Sequence, residues 1–116
     1  MSQQSVSIPW YATLFRGDKF EIALMEIAPV ALRYGATRYE VTRARDDQYK
    51  FLQTADFDSK LDFERYWQGE EFVAWRADYS GWYQVPVIYG FNDVVARGAL
   101  GGAEHTGSTE GQPAVG

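Results

Sequence analysis

The sequence predicts an α+β domain with the order β-α-β-β-α-β, folded as a four-stranded antiparallel sheet with two helices on one face. Three observations carry this. Stretches with strand alternation and stretches with a helical apolar stripe follow one another in that order. Between Phe63 and Phe91 ten residues are aromatic, an apolar area that has to be buried against another layer. Glycine, proline and short Asp/Ser clusters fall between the periodic stretches, where the chain must turn.

Ile8 to Phe15 sets Ile8, Trp10, Ala12 and Leu14 against Pro9, Tyr11, Thr13 and Phe15, strand periodicity with apolar groups on both sides. Pro9 has no N–H to give to a ladder, so it is read as the strand's start, and residues 1–7 as an extension outside the domain. Arg16-Gly17 then turns the chain. Asp18 followed by Glu21 has the spacing of a helix N-cap and its reciprocal partner, with Phe20, Ala23, Leu24, Ile27 and Ala31 on one stripe behind it. This first helix runs to Tyr34-Gly35, and Pro29 inside it predicts a kink or a split.

Thr37 to Arg45 is β-rich, with Tyr39 and Val41 on one side and Arg38, Glu40 and Thr42 on the other. After a polar turn at Asp46-Asp47-Gln48, Tyr49 to Phe57 puts Tyr49, Phe51, Gln53, Ala55 and Phe57 on one face, so the two strands form a hairpin. Ser59 with Asp62 three residues on starts the second helix, which Gly69 interrupts before Glu70 to Asp78 resumes it. A turn at Ser80-Gly81 leads to the last strand, Trp82 to Phe91, with Tyr83, Val85, Val87, Tyr89 and Phe91 on one face. Pro86 makes that strand an edge or a bulge.

The domain therefore spans residues 8–97. From Gly98 onward the chain has six glycines and no aromatic residue, so a disordered tail over 98–116 is expected. A net charge of −5 disfavours nucleic acid and anionic membranes as partners. Without cysteine there is no disulfide framework, no thiol nucleophile and no usual zinc cage. The first residues lack a basic, apolar leader and no stretch is long and apolar enough to span a membrane, so a cytoplasmic protein is the expectation. Because aromatic residues occupy both parities of the strands, a bare sheet face would be an apolar patch, and pairing of two chains through their sheets is predicted.

Three segments, LMEIAPVALRYGATRYEV, FLQTADFDSKLDFERYWQ and EEFVAWRADYSGWYQVPV, give the region from Pro9 to Val95 a resemblance to the dimeric α/β-barrel superfamily of ferredoxin-like proteins. Within it the chain resembles the antibiotic-biosynthesis-monooxygenase-like proteins. The resemblance implies a homodimer whose protomers each hold a pocket between sheet and helices. It also implies oxidation of aromatic polyketides or quinols without metal or flavin, or degradation of haem. Haem-degrading relatives use an axial histidine on a helix, whereas the one histidine here, His105, falls in the Gly-rich tail. No cofactor and no metal are therefore expected, and no His-based acid–base chemistry.

Cofactor-free oxygenation needs a dry pocket with donors aimed at a developing enolate. Residues able to supply them or to hold a flat aromatic ligand are Tyr11, Tyr39, Tyr66 and Tyr83, together with Trp67, Trp75 and Arg76; Asn92 is a further donor. Trp67 and Trp75 are spaced to share a helical face, where they would stack on a ligand while Arg76 meets an oxyanion. The plain structural reading is core packing for the rings and a surface ion pair for Arg76 with Glu70, Glu71 or Asp78. The sequence names no catalytic residue outright. Its alternative function is a non-catalytic ligand-binding or assembly module on the same dimer. An RNA-binding domain of the same strand order is opposed by the acidic charge and the missing Lys/Arg-Gly-aromatic motif.

Overall fold

The computed structural model describes residues 4–100. Four strands, β1 (Gln4–Tyr11), β2 (Ala36–Arg43), β3 (Lys50–Phe57) and β4 (Gly90–Asp93), form one antiparallel sheet in the order β2-β3-β1-β4. The helices are α1 (Gly17–Ile27), continued by a 3₁₀ helix over Ala28–Tyr34, then α2 (Lys60–Trp67) and α3 (Glu70–Asp78). Strand residues Val6, Ile8, Trp10, Phe51, Ala55 and Phe57 meet Phe20, Leu24, Ile27, Phe63, Tyr66, Phe72 and Trp75 in a single core.

Several boundaries move for identifiable reasons. β1 begins at Gln4, so residues 4–7, read as outside the domain, are the part of the strand that pairs with β4. Pro9 lies inside β1 and is tolerated there. Thr13 donates to Trp82 O at 2.9 Å and Tyr11 O accepts from Gln84 N at 2.8 Å, while the intervening Ala12 donates the other way, to Tyr49 O. Pro9 therefore faces the same side as Tyr11 and Thr13, at the gap between Gln84 and Gly90 where no ladder exists to break.

Asp18 and Glu21 are not a capping box, because α1 starts at Gly17 behind Arg16 and carries no side-chain cap. Their carboxylates instead hold Arg43 Nη1, at 3.0 and 2.8 Å, tying α1 to the hairpin. The predicted stripe of Phe20, Ala23, Leu24, Ile27 and Ala31 is buried, and Pro29 changes the helix type as expected of a residue without an N–H. Gly35 closes the 3₁₀ helix at φ 102°, a left-handed conformation suited to glycine. Ser59 caps α2 by accepting from Asp62 N, and the break at Gln68-Gly69 makes three α-helices where two were predicted.

The largest departure is the last strand. Only Gly90–Asp93 joins the ladder, and of the rest only Tyr83 makes a bridge, to Ala12. With Pro86 in its middle, the segment leaves the sheet, and its rings turn inward: Tyr83 is buried and Trp82 packs against Tyr79. The bare sheet face is accordingly mixed rather than an aromatic patch. It carries Ser5, Ser7, Thr54, Arg38, Glu40 and Thr42, with Pro9, Tyr11 and Leu52 as its apolar part. Residues 98–100 end the described chain, so the Gly-rich tail beyond them, His105 included, lies outside the described residues.

Candidate functional site

The site is built where the C-terminus of α2, the last turns of α3 and the irregular segment after Tyr83 converge on Trp10. Trp10, next to the C-terminal end of β1, touches Phe20, Trp67, Phe72, Trp75 and Tyr83 at ring-centroid distances of 5.1–6.3 Å. Tilted and edge-on pairs of this kind each contribute about 0.5–1.5 kcal/mol beyond area burial. The cluster is therefore a rigid wall.

A buried polar chain orients that wall. Trp10 Nε1 donates to Gln53 Oε1 at 3.0 Å, Gln53 Nε2 donates to the Tyr66 hydroxyl at 3.0 Å, and that hydroxyl donates to Ile27 O at 2.7 Å. Burial pushes the Tyr66 phenol well above its ordinary pKa, with the Gln53 hydrogen bond pulling weakly the other way. Trp75 is also committed, donating to Ala23 O at 2.8 Å. Both residues hold the protein together through internal bonds.

Arg76 behaves differently. Its guanidinium lies 3.9 Å from the centroid of Trp67 and 4.9 Å from that of Phe72, cation–π distances at a partly desolvated site. Nη1 is buried with no hydrogen-bond partner among the described residues, so the expected surface pairing with Glu70, Glu71 or Asp78 does not form. Glu71 turns instead to Arg33 and Tyr34. Desolvation lowers the Arg76 pKa, while the phenols of Tyr83, Tyr89 and Tyr66 act in the opposite sense. Burial in turn raises the Tyr83 pKa, which the Arg76 charge lowers, and its hydroxyl donates to Arg76 O at 3.3 Å.

Of the residues singled out by sequence, Trp67, Arg76 and Tyr83 thus come together, with Tyr66 and Trp75 directly behind them. Tyr11 lies on the bare face of the sheet, donating to Asp47, and Tyr39 is half-exposed on the edge strand β2. Asn92 is exposed on β4 and donates to Ser7 Oγ at 3.2 Å. Sequence reasoning missed Tyr89, whose ring sits 5.1 Å from Trp67. It also missed the role of Gln53, whose signal was present: one polar residue in the apolar register of Phe51, Ala55 and Phe57.

No family model and no curated protein sequence matches the chain. Solved structures do. A candidate antibiotic biosynthesis monooxygenase from Nitrosomonas europaea superimposes with a TM-score of 0.74 at 14% identity, covering 81% of this chain and 91% of that one. The chain has the antibiotic biosynthesis monooxygenase fold. The cofactor-independent oxygenase SnoaB from Streptomyces nogalater shares this monooxygenase fold with a TM-score of 0.69 at 17% identity, over 86% of this chain and 98% of its own. A candidate monooxygenase from Bordetella bronchiseptica does so at 0.72 and 14%, over 83% and 100%. Among the described residues no cluster of three or more His, Cys, Asp or Glu is placed to hold a metal, and no helix is long and apolar enough to cross a membrane.

Proposed function

We propose that this chain is a cofactor-independent monooxygenase acting on a flat, electron-rich aromatic or polyketide-like molecule, with Arg76 meeting the oxyanion of the ionised substrate. The observation that carries this is the buried, unpaired Nη1 of Arg76 stacked on Trp67. A cation shielded from water and lacking an anion stabilises negative charge that develops beside it far more than a solvated one does. Trp67 and Tyr89 would flank the ring system, with Tyr83 as a nearby phenol.

Tyr66 and Tyr83, both with raised pKa values, remain protonated at neutral pH, so neither serves as a base there. Arg76 instead lowers the acidity barrier of the substrate's own activated CH₂ group. The resulting carbanion reduces dioxygen: one oxygen atom bonds to carbon, the other leaves as water with the two hydrogens, and the CH₂ becomes a carbonyl. The homodimer belongs to the same proposal. Pro9, Tyr11 and Leu52 on the bare sheet face give a second copy an apolar centre with a polar surround.

Oxygen uptake with a panel of multi-ring aromatic ketones that carry an activated CH₂ group tests the reading. Arg76→Gln is expected to lower kcat by about 10²-fold, the scale for removing one oxyanion donor, with the fold intact by circular dichroism. Undiminished turnover in that variant would sink the proposal. Ligand binding without oxygen uptake in the wild type would favour a binding module.

A further inference from the structure

Arg76 Nη1 is shut away from solvent, so an anion reaches it only if part of its surround moves. Trp67, Phe72 and Trp10 belong to the packed core side of the site, and Tyr66 and Trp75 behind them are hydrogen-bonded to backbone. On the outer side the segment from Gln84 to Asp93 lays the Tyr89 ring against Trp67 and Phe63, near enough for its phenol to act on the Arg76 charge.

We propose that residues 84–93 form a lid over the Arg76 site, latched from the opposite face of the sheet by a clasp of Arg97 on Asp56. The proposal rests on the reading of Arg76 as the anion-binding group. Between the Gln84–Tyr11 hydrogen bond and the Ser7–Gly90 pair the lid makes no ladder with β1, and Pro9, which faces this gap, has no N–H to offer. Val85 and Ile88 are 73% and 70% exposed, so the segment is held to the core only through Val87, Tyr89 and Phe91.

At its far end the lid is held more firmly. β4 pairs with β1 over Gln4–Ser7 alone, and Asn92 adds one side-chain bond to Ser7. Beyond β4 the chain reaches past β1 to β3, where Arg97 Nη2 meets Asp56 Oδ2 at 2.8 Å. Asp56 points to the bare face yet is completely buried, and Arg38 holds its other oxygen at 3.3 Å. The Asp56 carboxylate is shielded between two arginines that are themselves partly exposed. The clasp thus anchors the free end of the lid to the centre of the sheet.

The test uses the full-length chain and modification of Arg76 by p-hydroxyphenylglyoxal, followed by peptide mass spectrometry. Exposed Arg45 serves as reference and paired Arg43 as reporter of general unfolding. In Arg97→Gln the Arg76 rate relative to Arg45 is expected to rise about tenfold as the ion pair to Asp56 is lost. Ser5→Cys with Asn92→Cys, at positions facing each other across β1 and β4, is expected to slow it when oxidised and restore it on reduction. Equal Arg76 rates in wild-type, released and locked proteins overturn the lid. Should Arg97→Gln loosen the whole fold, seen as a parallel rise at Arg43, the locked pair decides by whether oxidation slows Arg76. The readout needs no turnover. A responsive Arg76 rate with oxygen uptake unchanged in Arg76→Gln therefore keeps the lid and removes the oxygenase, whereas unresponsive rates with uptake lost do the reverse.

Discussion

Gln53 shows how one polar side chain organises an aromatic core. It accepts from one ring system and donates to another, so both polar edges of Trp10 and Tyr66 are satisfied without water. Replacing Gln53 with Leu strands the Trp10 N–H, and urea denaturation is expected to show a loss of about 1–3 kcal/mol. Trp10→Ala removes a ring that Phe20, Trp67, Phe72, Trp75 and Tyr83 touch, and about 3–5 kcal/mol is expected from the same measurement. Gln53 was legible as an anomaly of register, and the candidates Trp67 and Arg76 as a spacing on one helical stretch. Tyr89 was not legible as their neighbour, since its approach to Trp67 depends on residues 84–89 leaving the sheet. Nor did the sequence separate Trp75 from Trp67: an indole committed to Ala23 O and an indole under a guanidinium look alike in one dimension.

Among the elements, the 3₁₀ helix and α3 are joined by Glu71, which accepts from Arg33 and from Tyr34. The Arg33 hydrogen bond is the main cause that holds the Glu71 carboxyl below its ordinary pKa. A depressed carboxyl stabilises the fold above its unfolded-chain value, about 4.3, and that contribution is lost as pH falls through the folded value. Thermal melts at about pH 6 and about pH 3 are therefore expected to differ less for Glu71→Gln than for the wild type. Gly35 is constrained twice, by its φ of 102° and by the Asp62 side chain 3.0 Å from where a Cβ would stand. Gly35→Ala is expected to cost more than about 1 kcal/mol by chemical denaturation. Its glycine was readable as a helix end, whereas the Asp62 contact came only with α2 in place.

For the whole molecule, the predicted aromatic second face of the sheet gives way to a mixed one, and that alters what a dimer would rest on. The apolar centre is small, so Leu52→Asp is expected to shift the proposed dimer to monomer in sedimentation velocity at micromolar concentration, with circular dichroism unchanged. Thermal stability of the isolated chain should hardly change, because Leu52 is 40% exposed in the monomer. A wild-type protein that sediments as a monomer at every concentration would remove the dimer.

What the sequence determined by itself is the order of elements, the core stripe of α1, the core face of β3 and the interruptions at Pro29 and Gly69. Each follows from a repeat or a backbone constraint acting within a few residues. The tertiary structure decided where the chain after Tyr83 goes, which rings are spent on core hydrogen bonds, and that Arg76 is left with a buried, unpaired nitrogen. Those outcomes depend on partners far along the chain, from Trp67 packing on Trp10 to Asn92 meeting Ser7, and no local pattern encodes a contact that exists only once the layers have closed.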